Sequence, residues 1–251
     1  MDASHMALVH NVFIRGYNSI YQQAPHIRPA DYRDFVGYCL AWHEMVQGHH
    51  DSEEEVLFPG IEEATGVKGI MDGEKAEHAS LHAGLSSLAT YLRACTAQPG
   101  SFESSALLAI MDTLAPALAT HLANEPPALA SLATYAIDMK DLSDKTAKHS
   151  MARTSVVNLL PMLWFNLDVD FEDGKWNNFP PISGPVRWVL TWLLVGLPDN
   201  GVLAGSSNSL QSGAVQGTST PSCWGIVSTL IQHIDQLLRL TTMKSAPTST
   251  H

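Results

Sequence analysis

Positive charge is scarce in this sequence. Its 251 residues contain 14 lysines and arginines against 25 aspartates and glutamates, which gives a formal net charge of −11. Such a chain has few groups that could neutralise phosphates, so we expect no nucleic-acid partner and no membrane contact through basic residues.

Cysteine and long apolar runs are scarce as well. Cys39, Cys95 and Cys223 form no CxxC pair, which favours a reducing compartment over a disulfide framework. The N-terminal residues show no signal-peptide pattern, so we expect a cytoplasmic protein. No run reaches the roughly 18 apolar residues of a spanning helix, so we expect no transmembrane segment. Residues 185–198 are the longest apolar stretch, and lying on a membrane surface is their alternative role.

Apolar residues repeat with helical periodicity in four long segments. We expect helices from Ala3 to Gln23, from Asp31 to Phe58 with Pro59-Gly60 as the stop, from Asp72 to the residues before 98–100, and from Ser101 onward. Pro116, Pro126 and Pro127 are expected to kink or divide the fourth helix. Short connections between these helices predict an all-α fold, an antiparallel up-down four-helix bundle.

Composition divides the chain into three predicted parts. Residues 1–145 form the bundle, and residues 146–198, rich in aromatics and proline, form an extension that packs on it as irregular or helical chain. Residues 199–251 form a serine-rich linker and a possible amphipathic helix near 226–240. The extension is expected either to shape a pocket beside a metal site or to form a dimer interface.

Histidines and glutamates stand one helical turn apart in three of the helices. The i, i+4 pairs are His50 with Glu54, His78 with His82, and His121 with Glu125, and the first helix offers His10. His49 and Glu53 have the same spacing on a neighbouring face. Because only one of these two faces is expected to point inward, we assign His49 and Glu53 to the surroundings of the site.

The histidines also agree in height along the bundle. His10 and His78 lie near the starts of their helices, and His50 and His121 near the ends, so in an up-down bundle all four fall at the same end. Five imidazoles and two carboxylates are too many for one tetrahedral zinc, and they suit two cations. For HHDSEEE alone, a solvated acidic face is the alternative.

Four segments together resemble the hemerythrin-like, or HHE cation-binding, domain family. They are VHN, HHDSEEEVLFP, EHASLH and HLANE, in this order over roughly residues 6–140, and the extension with FEDGKW resembles that of fungal hemerythrin-like proteins. The resemblance implies a four-helix bundle with an oxo- or hydroxo-bridged di-iron centre. By position it implies that His78, His82 and His121 bind one iron, His10 and His50 bind the other, and Glu54 and Glu125 bridge them.

Three classes of function remain open. The first, which we favour, is an oxidoreductase that activates O₂ for a small organic substrate, because a carrier has no need of the aromatic extension. The second is an O₂ or iron carrier or sensor. The third is a structural or interaction protein with a vestigial site. Zinc and manganese accept the same kinds of ligand as iron.

Overall fold

The computed structural model describes residues 3–154 and 156–180, except for the side chains of 156–159. Within these residues the chain is helical and contains no strand. The helices are α1 (Ala3–Gln23), α2 (Tyr32–Ser52), α3 (Phe58–Thr65), α4 (Asp72–Ala97), α5 (Ser104–Ser131), α6 (Met139–Arg153), α7 (Val156–Asn166) and the short α8 (Phe171–Gly174). Helices α1, α2, α4 and α5 pack around a common core, which confirms the predicted all-α bundle.

Helices α2 and α3 are joined without a break by a π-helical turn, Glu53–Leu57. The prediction that Pro59-Gly60 ends the second helix is wrong, because the helical path continues to Thr65 and ends at Gly66, whose φ is +71°. Proline is tolerated in the first turn of a helix, where its missing N–H is not needed. The π-helical turn places Pro59 in such a first turn.

Helix α5 runs uninterrupted through its three prolines, so the prediction that they divide it is wrong. Pro116 and Pro127 lie on the exposed side of the helix, where a proline ring meets no core residue. The buried side keeps its register, and Leu118, His121 and Glu125 all remain inside the bundle.

Among the described residues, one helical stretch is long and apolar enough to cross a membrane, Ser104–Thr134. Asp112, His121 and Glu125 interrupt its apolar run, so it contains no uninterrupted apolar stretch of spanning length. The core helix of a bundle passes the same test of length and composition. In this structure its inner side packs against α1 and α4.

Two apolar clusters enclose the level at which the histidines lie. The larger cluster fills the bundle around Phe13, Phe35 and Trp42. The smaller cluster closes the end of the bundle near α3. Its members are Met6, Leu57, Phe58, Ile61, Met71, Leu129 and Leu132. Since the two clusters are continuous with the walls of the bundle, polar groups between them are shielded from water.

Residues after the bundle cover the groove between α1 and α2. Residues 156–166 are helical as α7, not irregular, and pack on both of these helices. Arg15 binds Asp168 with 2.8 Å between Nη2 and Oδ2, and the Trp176 ring stacks on His5 at 5.2 Å between centroids. Residues 181–251 lie outside the described residues, and the predicted linker and terminal helix fall there.

Helices α1 and α2 approach each other closely at Gly16. This close packing leads to a prediction about the stability of the fold. A Cβ atom at Gly16 would lie 2.5 Å from Cδ1 of Trp42, which is buried and donates its indole N–H to the Phe13 carbonyl at 2.9 Å. We expect Gly16→Ala to lower the free energy of unfolding by about 1–3 kcal/mol, as overpacking does. Urea unfolding followed by circular dichroism measures this change.

Gly73→Ala is the matched control. A Cβ atom at Gly73 meets nothing within 4 Å, so this substitution should stabilise α4 by up to about 1 kcal/mol through helix propensity alone. Equal stabilisation by both substitutions would contradict the packing described for Gly16.

Candidate metal centre

Seven buried donor side chains meet between the two apolar clusters. They are His10 of α1, His49 and His50 of α2, Glu53 of the π-helical turn, His78 of α4, and His121 and Glu125 of α5. None of them is more than 7% exposed. All four helices of the bundle therefore contribute to one site.

The seven side chains form two groups. His50, Glu53, His78 and His121 form the four-donor group, and His10, His49 and Glu125 form the three-donor group. Within each group, one ligand atom from every residue lies within 4.8 Å of the others. Ligand atoms around one transition-metal ion lie up to about 4.4 Å apart, because metal–ligand bonds measure about 2.0–2.2 Å. Each group thus matches one cation after a small contraction.

Glu53 contacts both groups. Its Oε1 lies 3.0 Å from Nε2 of His49, and its Oε2 lies 3.6 Å from Nε2 of His78. The π-helical turn helps to place this side chain, since the N–H of Phe58 bonds to the Glu53 carbonyl five residues earlier. A carboxylate with one oxygen toward each group is suited to bridging two ions.

Glu125 contacts both groups as well. Its Oε2 lies 3.1 Å from Nε2 of His10 and 3.8 Å from Nε2 of His121. His10 places its Nδ1 3.0 Å from the Leu122 carbonyl. A carbonyl can only accept, so Nδ1 carries the proton and Nε2 keeps the lone pair that a metal ion needs.

Carboxylates outside the two groups face the Nδ1 atoms of two further imidazoles. Nδ1 of His78 lies 2.9 Å from Oε1 of Glu54, and Nδ1 of His121 lies 3.5 Å from Oε2 of Glu77. Asn124 donates to the other oxygen of Glu77 at 2.7 Å. The hydrogen bond that Nδ1 of His78 donates to Glu54 fixes the ring orientation of His78 and leaves Nε2 as the ligand atom, as outer carboxylates do for metal-binding histidines.

The donor atoms themselves lack hydrogen-bond partners among the described residues. This is true of Nε2 in all five histidines and of both carboxylate oxygens of Glu53 and Glu125. A buried polar atom without a partner costs about 1–3 kcal/mol, and an unpaired charge costs more. So many such atoms at one place fit a site that is completed by metal cations.

Burial also favours the neutral form of three of these imidazoles, because it lowers their pKa values. It lowers the pKa of His49 to about 4 and that of His121 to about 3. The pKa of His50 falls well below its usual value through burial and the neighbouring histidines. Burial and the charge of Glu125 raise the pKa of Glu53. Burial acts upward on the pKa of Glu125 too, but close contact with His10 and the other histidines lowers it overall.

The structure brings together five of the residues that the sequence predicts as ligands and places two apart. His10, His50, His78, His121 and Glu125 belong to the cluster. Glu54 has a side chain 40% exposed and contacts Nδ1 of His78 from outside. His82 is exposed on α4.

His49 and Glu53 take the two remaining places in the cluster, so five imidazoles and two carboxylates are retained. From the sequence, only one of two neighbouring faces of α2 was expected to point inward, the face with His50 and Glu54. A helix in a bundle buries a stripe at least about 100° wide, so two successive residues can border the same interior. The spacing of Glu53, three residues after His50 and four after His49, is the signal that could have identified it.

A small cleft between α2 and α4 connects the four-donor group with solvent. Its lining consists of Gln47, His50, Asp51, Glu54, His78, His82 and Leu85. No described residue after the bundle lines this cleft. On the α1–α2 side, Thr154 approaches Gly48 so closely that a Cβ atom there would lie 2.7 Å from its hydroxyl. Within the described residues, the four-donor group is therefore open to solvent on the α2–α4 side.

Comparison with known families agrees with this geometry. The family model described as "Hemerythrin HHE cation binding domain" matches residues 1–129. The chain belongs to the hemerythrin HHE cation-binding domain family. A relative named "Dimeric xanthone biosynthesis cluster protein R11", from Cryptosporiopsis sp. (strain 8999), is 36% identical over 192 residues, which cover 76% of this chain and 72% of the relative. No solved structure matches the chain.

Membership of the HHE family confirms the resemblance found in the sequence. The residues matched by the family model include all seven clustered donors. The family match ends at residue 129, close to the end of α5. Helices α6 and α7 lie beyond the matched residues, where α6 packs on α2 and α7 packs on α1 and α2.

Substitutions can test which residues bind metal. They compare two residues that the sequence predicts as ligands, His82 and Glu54, with two that the structure places in the cluster, His49 and Glu53. We expect His49→Ala and Glu53→Gln to remove at least one of the bound metal ions, because each takes away a buried donor. His82→Ala should retain the metal, and Glu54→Gln should only weaken binding, by about 10–100-fold, because it releases the His78 ring. Elemental analysis and metal titration of the purified variants measure these effects. Full metal content in Glu53→Gln would refute the assignment.

A second prediction concerns the pH dependence of the metal-free protein. An unfolded histidine titrates near 6.5, but folded His49 titrates at about 4. Below about pH 6.5 the unfolded chain therefore binds a proton that the folded chain does not bind, and stability falls by about 1.4 kcal/mol per pH unit for this residue. We expect His49→Gln to make the loss of stability between about pH 6 and pH 4.5 shallower by that amount.

Urea unfolding of the metal-free protein at several pH values provides the measurement. His26→Gln, at an exposed position beyond α1, is the matched control. Identical slopes for the wild type and His49→Gln would show that His49 is not buried as described.

Proposed function

We propose that this HHE protein is a non-haem di-iron protein that binds and activates O₂ and acts as an oxidoreductase on a small organic substrate. The observation that carries the proposal is the pair of adjacent donor groups, each contacted by both Glu53 and Glu125. One carboxylate bridge would hold two ions loosely, and two bridges would fix their separation.

The donor set supports iron over calcium or magnesium. Imidazole suits iron, zinc, copper and nickel, whereas the two lighter cations prefer oxygen ligands. With shared carboxylates, the four-donor group offers its ion one more ligand than the three-donor group offers. Both ions would keep at least one coordination position for an outside ligand, as a reactive centre requires. Zinc and manganese remain compatible with the same ligands.

Bound iron would supply electrons for O₂ chemistry, and the protein residues would supply position and shielding. Glu54 holds the ring of His78 from outside the cluster, and Glu77 lies beside the ring of His121. Phe58 stacks on His78 at 5.5 Å between ring centroids and excludes water from that side. The cleft between α2 and α4 then admits small molecules to the shielded ligands.

The name of the relative supports a substrate of small organic type. It places that protein in a biosynthesis cluster for a dimeric xanthone, which is an aromatic compound. Assembly of such compounds proceeds through chemical steps on small molecules, and an O₂-dependent step needs a metal or another redox group. For this chain we therefore propose a small aromatic substrate.

A second candidate is an O₂ or iron carrier or sensor without turnover. The small size of the cleft favours it, because the space beside His50 and His78 has room for little more than a molecule such as water or O₂. An aromatic substrate would have to bind at the mouth of the cleft and react over a distance, or the cleft would have to widen.

Metal analysis and spectroscopy on the full chain test the proposal. We expect two irons per chain, a visible band from an oxo or hydroxo bridge under air, and loss of that band in the reduced protein under nitrogen. His78→Ala and His121→Ala should lose the band, and His82→Ala should keep it. Two zinc ions without a visible band would refute the di-iron centre.

Oxygen consumption separates the two candidates. The reduced protein is exposed to O₂ with a reductant and a panel of small phenols, and products are followed by mass spectrometry. Catalytic consumption with a new product supports the oxidoreductase. A reversible spectral change with no product supports the carrier or sensor.

A further inference from the structure

A third set of donors lies beside the metal centre on the α4–α5 side. It consists of Glu74 and Glu77, one turn apart on α4, and Nδ1 of His121 on α5. One ligand atom from each lies within 4.8 Å of the other two. Glu74 belongs to neither group of the metal centre and has no part in holding its ligands.

The facing atoms in this set are buried and have no hydrogen-bond partner in the part of the chain that the structure describes. They are Oε2 of Glu74, Oε2 of Glu77 and Nδ1 of His121. Glu74 is only 9% exposed and His121 is fully buried, whereas the Glu77 side chain is 25% exposed. The set therefore has an inner end at His121 and an outer end that reaches solvent at Glu77.

Negative charge at this place is not balanced by a nearby basic residue. Burial, then the charges of Glu125 and Glu77, raise the pKa of Glu74 to about 7. Among the described residues, Lys75 pairs with Glu62 and Asp72, and no lysine or arginine forms an ion pair with Glu74 or Glu77. A cation bound between Glu74 and Glu77 would supply the missing positive charge, and two carboxylates with one imidazole suit a divalent transition metal that keeps some of its water.

His121 links this set with the metal centre through its two ring nitrogens. Nδ1 faces Glu77 at 3.5 Å, and Nε2 faces Glu125 at 3.8 Å. A neutral imidazole has one lone-pair nitrogen and one N–H. The ring therefore binds an ion on one side at a time, so the set is not filled with all three donors while Nε2 holds an ion of the centre.

We propose that Glu74, Glu77 and His121 form an acceptance position, which takes a divalent cation from solvent and passes it to the four-donor group. The inference rests on the proposed metal centre. Glu77 receives the hydrated ion, Glu74 draws it inward, and His121 exchanges Nδ1 for Nε2 as its ligand atom when the ion moves on. The role of Glu74 lies in the rate of loading and not in the final occupancy.

Metal uptake by the full chain tests the acceptance position. Metal-free wild type and Glu74→Gln are mixed with Co²⁺ under nitrogen, and the visible absorption of bound cobalt is followed in a stopped-flow instrument. We expect Glu74→Gln to take up Co²⁺ about tenfold more slowly, because an acidic entrance raises the local cation concentration. The final cobalt content and spectrum should equal those of the wild type.

Two further variants complete the experiment. Glu63→Gln removes the same charge from an exposed position of α3, and it should load at the wild-type rate. Glu74→Asp keeps the carboxylate and should recover part of the rate, which shows that charge and not folding is responsible.

The outcomes separate the two proposals. Loading of Glu74→Gln at the wild-type rate, or a reduced final cobalt content, would overturn the acceptance position and leave the metal centre intact. Absence of cobalt uptake by the wild type would overturn both.

Discussion

The constraint on which this structure depends is the burial of seven donor side chains inside one helical bundle. Their metal-facing atoms have no hydrogen-bond partners among the described residues. The ring nitrogens and carboxylate oxygens face one another without hydrogen-bond partners, and the bundle holds them there with apolar clusters on both sides. In the absence of a cation, this arrangement is costly. A ligand present at about 100 times its dissociation constant adds about 2.7 kcal/mol to the stability of the folded state. Metal binding and folding are thus linked in this protein.

The surroundings of the centre differ from one side to another. Helices α6 and α7 close the α1–α2 side, where Thr154 approaches Gly48. The α2–α4 side has a small cleft, and the α4–α5 side has the acidic pair Glu74 and Glu77. In the proposed centre, a neutral molecule and a cation would therefore reach the ions from different directions, since each side offers a different chemistry.

The sequence predicts the bundle and the level of the site because both follow from regular periodicity. Apolar repeats identify α1 and α4 almost to the residue, and the rise per residue places His10, His50, His78 and His121 at one height. What periodicity misses are departures from the regular helix. The helical path through Pro59 and through the prolines of α5 depends on which side of each helix faces the core, which is decided by packing.

The π-helical turn between α2 and α3 contains one residue more than a regular helix needs. The way in which the turn takes up this residue decides the direction in which the side chains of α3 point. Each residue of an α-helix turns the chain by about 100°. The wider turn takes up the extra residue, so Phe58 and Ile61 still face the cluster that closes the bundle, whereas an extra residue in a regular helix would rotate them away by that angle. Glu55 and Val56 are not buried, whereas Glu53 faces both donor groups and Glu54 contacts Nδ1 of His78. The number of residues in this segment and the carboxylates at its first two positions are therefore both constrained.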